Sequence, residues 1–467
     1  MSRLAALPLR RVLGVLLILV VASCSIVLLR TEYGSQMLKY AKDTVKAKPA
    51  TATELPKPKY KPTPAYRPPP ITDPFPLLAT STPPPIPKWN QPRENLSQEY
   101  DLPVPPPLLI GFTRSWPILL QAVVSYITAG WPPSQIFVIE NTGVHNSNAQ
   151  GKLTLQNPFF LNHTILHMLG VNIVQTPVLL SFAQLQNFYL SMSYDNGWPY
   201  YFWSHMDVLA LSYEEGKKDK TAKYDDPDYK TIYELCVSTL AEARKKEDGI
   251  DGRPRWGLRF FAYDHLALVN PAAYEDIGGW DTLIPYYITD CDMHSRVRMA
   301  NWSIEDGRAG IVADVSVVLD DLAVLYRIPG IHPSFTDPNP PPPKEEDSKD
   351  KRMSRRDDVE KANTESDEKG NANDDENLGA WRALLREAEA MSHYKHGDRG
   401  RNTWQTGQRG GKGEPYHYDA AGLAEALEVI TEAGKEVYRR KWGHRDCDLI
   451  TGAGLKIDDQ WQVQKDW

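Results

Sequence analysis

The sequence is poor in cysteine and carries no excess of basic residues. It has 4 cysteines among 467 residues, and one of them, Cys24, lies in an apolar segment. The other three, Cys236, Cys291 and Cys447, are too few for a disulfide framework, although an oxidising compartment would permit one disulfide and one free thiol. The formal net charge of −7 gives no indication of nucleic-acid binding, so we expect no nucleic-acid partner.

Charged residues are absent from residues 12–29. A helix of this length reaches about 27 Å, close to a membrane hydrocarbon core of about 30 Å. Three arginines precede the segment, and only Arg30 follows it before Glu32. The positive-inside rule therefore places residues 1–11 in the cytoplasm as a short tail. The pattern predicts a single transmembrane helix at 12–29 in the type II orientation.

Two other interpretations of this segment involve cleavage. A signal peptide usually has a shorter apolar stretch, whereas here the apolar character continues to Leu29. Residues 21–24 could also pass for a bacterial lipoprotein cleavage site, but cleavage there would leave a second apolar stretch behind the cysteine. Asn-x-Ser/Thr sequons fit a protein of the secretory pathway and occur at Asn95, Asn162 and Asn301.

Two long segments lack the periodic apolar pattern of a folded core. Residues 48–107 contain about half of the 38 prolines, which predicts an extended, largely unpacked stem over residues 30–107. Residues 338–378 begin with a proline run and continue as a densely charged stretch with hardly any large apolar residue. Such a composition cannot bury enough surface to fold, so we predict a disordered insertion there.

Between these segments, short apolar runs alternate with helix-like stretches. The predicted strands are residues 108–112, 135–139, 171–174 and 200–203, and the predicted helices are residues 118–129 and a stretch containing Phe182, Leu185, Phe188 and Met192. This alternation predicts an α/β domain at 108–337 with a mainly parallel sheet and helices on both faces. Ligands bind such sheets at the carboxyl ends of the strands. Helical spacing at 381–391 and 422–442 predicts C-terminal helices, within residues 379–467, that pack on this domain.

One aromatic strand ends in a histidine and a carboxylate. The segment from Pro199 to Leu211 carries His205 and Asp207, and side chains two residues apart on a strand can face the same side and share a divalent cation. An aspartate at a strand end also commonly caps a turn or helix, so both interpretations stay open.

A second acidic pair stands before a helix-like run. Asp290 and Asp292 can cap this helix and complement its dipole, or they can serve catalysis. Gly278 and Gly279 precede them, and paired glycines indicate a close backbone approach to another strand or to a ligand.

The ordered series LLIGFTRSW, QIFVIENTG, YYFWSHMD, GGWD and ITDCDMHSRV resembles the glycosyltransferases of the GT-A fold, and most closely those of glycosyltransferase family 2. The resemblance covers roughly residues 108–325, and the order and spacing of the motifs carry it. It implies a Rossmann-like nucleotide-diphospho-sugar transferase fold.

The resemblance also implies roles for residues at the strand ends. Thr113 and Arg114 follow the first strand, where the family touches the nucleotide, although they could equally be ordinary loop residues. Glu140 ends the second strand, where an acidic residue usually contacts the uracil or ribose. His205 and Asp207 fall at the family's Asp-x-Asp metal motif, with His205 replacing the first acid.

The later motifs correspond to the glycine loop and the base. Gly279, Trp280 and Asp281 match the loop that lies against donor sugar and acceptor, and Trp280 could stack on a sugar ring or belong to the core. Asp290 matches the acid of the Glu-Asp motif that serves as general base, and Thr289 replaces the Glu.

The family often adds a histidine as a further metal ligand near the C-terminus. The candidates here are Asp320 or Asp321, at the end of the predicted strand VADVSVVL, and His444 in RKWGHRDCD. A lone histidine after a helix is also a common surface cap.

These residues would divide the chemistry of sugar transfer between them. Asp207 with Mg²⁺ or Mn²⁺ would clamp the departing diphosphate, and Asp290 would remove the proton from the attacking hydroxyl. Direct attack would invert the anomeric centre. Asp292 could raise the pKa of Asp290 if both acids pointed into the cleft, as they would on a strand but not on a helix.

The expected partners are a nucleotide-diphosphate sugar donor, a glycan or glycoconjugate acceptor, and the membrane. A non-catalytic, membrane-anchored nucleotide-sugar or glycan-binding protein is the main alternative, and the departures at His205 and Thr289 favour it. A nucleotidyl- or sugar-phosphate transferase lacks support, because no glycine-rich, lysine-bearing phosphate loop follows the first strand. An anchor and stem before a sugar-transfer domain predict a Golgi membrane protein whose catalytic domain is lumenal.

Overall fold

The computed structural model describes residues 69–245, 255–337, 376–397, 411–415 and 419–465, together with short pieces between residues 14 and 62. The chain divides into two compact units, Met1–Arg67 and Pro68–Trp467. Within the first, residues 17–23 are helical and exposed. Among the described residues, no helix combines the length and apolarity needed to cross a bilayer. Most of residues 12–29 and all of residues 1–11 lie outside the described part, so the predicted anchor stays a prediction.

The second unit is built on a seven-stranded, mostly parallel sheet with strand order β3-β2-β1-β4-β7-β6-β8. Only β7 runs antiparallel to both of its neighbours, β4 and β6. The strands are β1 (Leu108–Phe112), β2 (Ile136–Glu140), β3 (Asn172–Gln175), β4 (Tyr201–Ser204), β6 (Arg255–Phe261), β7 (Leu266–Val269) and β8 (Trp302–Gly307).

A small second sheet pairs β5 (Val208–Leu211) with β9 (Ile311–Asp314). Because Val208 lies opposite Asp314 in this antiparallel register, and the Val315 amide donates to the Asp207 carbonyl at 2.9 Å, the end of β9 is held beside the segment that follows β4. This pairing brings Asp314 next to Asp207.

Helices cover the sheet, and apolar cores lie on its two faces. The helices are α1 (Leu96–Glu99), α2 (Trp116–Thr128), α3 (His145–Ala149), α4 (His163–Met168), α5 (Phe182–Asp195), α6 (Ile232–Lys245), α7 (Pro271–Asp276), α8 (Thr289–Met299), α9 (Glu376–His396) and α10 (Ala420–Trp442). The predicted α/β class with a mostly parallel sheet is confirmed, and the first four predicted strands appear within one residue of their expected bounds.

The second half of the predicted stem is packed, which differs from the extended, unpacked prediction. Phe75, Leu78 and Leu96 are at most 4% exposed and belong to the main core, while the Asn90 side chain donates to the Thr128 carbonyl at 2.9 Å. Prolines restrict the unfolded chain and so lower the entropic cost of ordering it. Widely spaced apolar residues can therefore anchor a proline-rich segment that shows no periodic pattern.

The C-terminal helices pack on the α/β core. Leu384, Ala388 and Met391 of α9 are buried in the main core, and α9 lies against β9. The predicted insertion lies almost wholly outside the described residues. One disulfide joins Cys291 to Cys447, with a Cα–Cα distance of 5.1 Å, and Cys236 is a buried free thiol. One disulfide and one free thiol is the arrangement that the sequence analysis allowed for an oxidising compartment.

Candidate functional site

The site predicted from the sequence lies at the topological switch point of the sheet, where the strand order reverses between β1 and β4. β1 and β4 are parallel neighbours, with β2 and β3 on one side and β7, β6 and β8 on the other. Open α/β sheets bind ligands outside the carboxyl ends of strands at such a switch point. Thr113 and Arg114 follow β1, and His205 and Asp207 follow β4, so all four lie at this edge.

Arg114 is a buried cation at the site, with 6% of its surface exposed. Burial lowers its pKa to about 10, while the neighbouring Tyr286 and Asp207 favour its charged form. Such an arginine still carries its positive charge at neutral pH. Thr113, at the end of β1, is half-buried.

Asp207 and Asp314 share a lysine from the distant helix α9. The Lys395 ammonium donates to Asp207 Oδ2 at 2.6 Å and to Asp314 Oδ1, and the three side chains are only 7 to 11% exposed. Burial opposes the charged form of Asp207, but hydrogen bonds from His205 and Lys395 bring its pKa well below the usual range. Burial likewise opposes the charge on Lys395, but the two carboxylates raise its pKa. We call these three residues the Lys395 clamp.

Three histidines border the clamp. His205 Nδ1 is 3.6 Å from Asp207 Oδ1, and its Nε2 is 3.8 Å from Asp264 Oδ1. Burial lowers the pKa of His205, but these two carboxylates outweigh it and raise the pKa. The other two histidines contact Asp314, His265 Nε2 at 3.7 Å and His396 Nε2 at 3.1 Å.

The described residues do not fit a divalent cation at Asp207 as they stand. A cation shared by Asp207 and Asp314 would occupy the space that the Lys395 ammonium now fills, since both carboxylates point at that nitrogen. A metal would have to displace Lys395 first. We therefore derive no step through a metal.

None of the three predicted distant ligands lies with Asp207. Asp320 accepts from Ser334 Oγ at 2.8 Å and from Thr336 Oγ1 at 2.9 Å, because β9 ends at Asp314 instead of continuing through the predicted strand. Asp321 accepts from the Ala323 amide at the start of a short 3₁₀ helix. His444 pairs with Asp448 at 2.9 Å, in a group with Asp446.

The glycine loop is held by α5. Gly279 has a φ of +74°, and a Cβ there would lie 2.6 Å from Asn187 Oδ1. The Asn187 side chain also bonds both the amide and the carbonyl of Trp280. Trp280 is 2% exposed and packs edge-on against Phe182. The close approach is thus to a side chain of the protein, and the indole is a core group with no open face for a sugar.

The two acids of the predicted base motif diverge because they lie on the helix α8. Asp290 is half-buried at the first turn, and its Oδ2 accepts from the Tyr263 hydroxyl at 3.0 Å. Asp292 is fully buried and accepts from Arg296, Lys441 and the Trp442 indole at 2.8 to 2.9 Å. Asp292 therefore ties α8 to α10, which differs from the predicted catalytic position. Asp281 joins the same group through Lys441 at 2.7 Å.

A short series of contacts links Asp290 to the clamp. The Tyr263 ring is 6.3 Å from the His265 ring, and the His265 ring is 5.5 Å from that of His205. Tyr263 also donates to Asp290. The predicted base and the Lys395 clamp therefore border one region of the molecule.

Glu140 ends β2 as predicted, but its carboxylate is fully enclosed. Oε1 accepts from Asn148 at 2.7 Å and Oε2 contacts His163 Nε2 at 2.8 Å. Burial raises the pKa of Glu140, and the His163 and Asn148 hydrogen bonds more than offset this, so the net pKa is lowered. Contact with a nucleotide would require these partners to move.

Sequence reasoning missed five residues around the clamp. Asp264 and His265 lie between β6 and β7 outside any motif, and Asp314 falls inside the predicted strand VADVSVVL instead of at its end. Asp207 was recognisable as a carboxylate at a strand end, and Asp290 as one of two acids before a helix-like run. Lys395 and His396 come from a helix 188 residues beyond Asp207. No spacing rule spans that distance.

The chain therefore has an α/β fold with a charged, histidine-bordered site at the switch point of its sheet. No protein-family model and no curated protein matches it. Among solved structures it is similar to the mannosyltransferase PcManGT from Pyrobaculum calidifontis, in complex with GDP-Man and Mn²⁺. The identity is 12%, the TM-score is 0.27, and the match covers 44% of this chain and 55% of the other. The chain thus spans about half the length of that structure, and a likeness at this level carries no functional argument.

Proposed function

We propose that the chain is a glycosyltransferase of the GT-A type that moves a sugar from a nucleotide-diphosphate sugar to a hydroxyl of a glycan or glycoconjugate. One observation carries the proposal. The family-2 motifs that carry Arg114, Asp207 and Asp290, separated by up to 180 residues in sequence, border a single region at the switch point between β1 and β4. Arg114 lies close enough to Asp207 there for the two charges to interact, and Asp290 is linked to Asp207 through Tyr263, His265 and His205.

Asp290 is the proposed general base. Its carboxylate sits at the N-terminus of α8, is partly open to solvent, and is oriented by the Tyr263 hydroxyl. It can take the proton of an acceptor hydroxyl while that oxygen attacks the anomeric carbon opposite the diphosphate. Attack from that side inverts the configuration. Positive charge from Arg114 favours binding of the anionic donor.

The function is tested by offering the full-length chain a panel of UDP- and GDP-sugars and measuring nucleotide release and thermal stabilisation. We expect one donor to raise the thermal midpoint and to release nucleotide. Asp290→Asn should lower the release by about 10²- to 10⁴-fold, as general-base catalysis contributes that much. The exposed Asp195 supplies a matched control, and Asp195→Asn should leave the rate unchanged. Full activity in Asp290→Asn would remove Asp290 as the base.

A non-catalytic sugar-nucleotide or glycan-binding protein is the second candidate. Thr289, which replaces an acid of the family motif, is buried at the start of α8. A pure binder would be stabilised by a sugar nucleotide but would release no nucleotide, with or without Mn²⁺. The same panel therefore separates the two functions.

We also propose that the chain is a single-pass type II Golgi membrane protein with its catalytic domain in the lumen. The uncharged segment at residues 12–29 and the arginines before it support this address. The Cys291–Cys447 disulfide adds support, because such bonds persist in oxidising compartments. An intact N-terminus on membrane-bound protein would agree with retention, and a mature chain beginning near Arg30 would contradict it.

A further inference from the structure

We infer that Lys395 supplies the positive charge that stabilises the departing diphosphate, in the position where a divalent cation would otherwise bind, so that transfer by this chain needs no metal. The inference rests on the proposed function and deepens it. Its basis is the Lys395 clamp, in which one ammonium lies between Asp207 and Asp314 at the switch point of the sheet.

The chemistry of an ammonium group suits this role. Lysine carries three N–H donors and no acceptor. Among the described residues two of these donors have carboxylate partners in the clamp, and the third can donate to a phosphate oxygen. The two carboxylates fix the direction of the ammonium group. Carboxylates that hold a metal ion would fix the position of that ion towards the phosphates in the same way.

The backbone that carries Lys395 is firmly anchored. Leu384, Ala388 and Met391, on the preceding turns of α9, are at most 1% exposed. The Trp381 indole donates to the Ser212 carbonyl at 3.0 Å, and the Tyr394 hydroxyl donates to Asp337 at 2.9 Å. Because the helix is fixed, a cation competing for Asp207 and Asp314 must displace a tethered ammonium.

Two buried cations lie at the site once Lys395 is counted. Arg114 is a second buried cation close enough to Asp207 to sense its charge. His205 and His265 line the same region, with 31% and 22% of their side chains exposed. Because these rings are partly exposed, the clamp keeps partial contact with solvent. A donor molecule needs such an opening to reach the clamp.

The proposed transfer balances without a further reactant. The acceptor oxygen forms a bond to the anomeric carbon while the bond from that carbon to the diphosphate oxygen breaks. The acceptor proton passes to Asp290, and the electron pair of the broken bond remains on the diphosphate. The Lys395 ammonium stays protonated and stabilises that negative oxygen through an N–H···O bond.

The test measures Mn²⁺ binding and activity separately in the full-length chain. Electron paramagnetic resonance with MnCl₂ alone should show at least about tenfold tighter Mn²⁺ binding in Lys395→Met than in the unmodified protein, because the variant removes the ammonium from between two carboxylates. Nucleotide release by the unmodified protein should stay within about twofold after treatment with a chelator. Release by Lys395→Met should fall by about 10²- to 10³-fold, as expected when one charge-stabilising donor is lost, and added Mn²⁺ should restore part of it.

Two controls keep the result interpretable. Lys395→Arg retains a cation and should keep metal-independent activity above that of Lys395→Met. Lys435→Met removes a lysine of α10 whose partner Glu432 is exposed, and it should leave both Mn²⁺ binding and rate unchanged. Circular dichroism establishes whether Lys395→Met folds, and Lys395→Gln replaces it if it does not.

Three outcomes would overturn the inference. They are loss of activity in the unmodified protein on chelation, Mn²⁺ binding by the unmodified protein as tight as that of Lys395→Met, and full metal-free activity in Lys395→Met. The second outcome would instead mean that Lys395 occupies a metal site and is displaced when the metal binds. If no sugar nucleotide is turned over at all, the proposed function fails, and the Mn²⁺ comparison alone still decides whether Lys395 excludes the ion.

Discussion

Two lysines in this molecule each hold a pair of aspartates, and the two groups differ in their surroundings. Lys395 lies between Asp207 and Asp314 at the end of the sheet. Lys441 lies between Asp281 and Asp292, where α10 meets α8. Both lysines come from helices that follow the predicted insertion.

The surroundings separate a structural group from a candidate site. Arg296 and the Trp442 indole complete the bonds of Asp292, and Trp442 is itself buried with Tyr438 and Ile284. The Lys395 clamp is instead bordered by histidines that keep partial exposure. The titratable, partly exposed groups around Lys395 therefore distinguish the candidate site from the structural group around Lys441.

Removal of Lys441 should have the largest effect, and it should act on stability. Lys441→Met leaves the buried Asp292 with an incomplete set of partners, and breaking a buried pair from one side costs about 3–5 kcal/mol. Urea denaturation should show a loss of this size. A loss below about 1 kcal/mol would mean that Arg296 and Trp442 alone satisfy Asp292.

The disulfide beside the Lys441 group should contribute nearly as much. Cys447→Ser opens a bond between residues 156 apart in sequence, and removal of such bonds typically costs about 2–4 kcal/mol. Unfolding of the variant should match that of the reduced unmodified protein. Cys236→Ser, which changes the buried free thiol, shows how much a cysteine substitution costs without loss of the bond.

Substitution in the clamp should act on turnover. Asp207→Asn removes a carboxylate that orients Lys395 and His205, and misplacement of such groups costs about 100-fold in rate. Steady-state kinetics below the unfolding temperature measure this loss. Asp292→Asn should show the opposite profile, with a lowered thermal midpoint and a rate reduced less than tenfold. Equal rate losses in the two variants would break the comparison.

Substitution of Glu140 should give the smallest effect. Glu140 is a buried carboxylate whose partners are an imidazole and an amide instead of a lysine. Its pKa is lowered below the ordinary 4.5, so its contribution to stability is present above that pH and is lost as the pH falls through the folded-state pKa. Glu140→Gln should lose about 1 kcal/mol at neutral pH. Its stability should also fall less steeply than that of the unmodified protein between pH 5 and 3. Parallel pH curves would contradict the assignment.

Four of the seven strands of the sheet, β1 to β4, were predicted because they are local, continuous apolar runs. The segments ending at Phe112, Glu140 and Ser204 each carry enough buried side chains to identify a strand without tertiary information. Asp207 and Asp290 could be singled out because their signals are also local: Asp207 follows an apolar strand, and Asp290 is one of two acids at the start of a helix.

Residues brought in by long-range packing were not predictable. Asp314 reaches Asp207 only because β9 pairs with β5, and Lys395 only because α9 packs against β9. The role of Asp292 depends on whether its segment is a helix, and on α10 arriving beside it. Phe75 and Leu78 looked like spacer residues because an isolated apolar residue shows no period, yet each fills the core.

The Cys291–Cys447 bond has a consequence for any protease that cuts the chain. Both ends of the long segment between these cysteines are fixed to each other, so a single cleavage anywhere within it produces two polypeptides that remain one covalent molecule. The predicted insertion lies inside that segment. A nicked chain would therefore run at full size on a non-reducing gel, and would keep the helices that carry both lysines attached to the sheet.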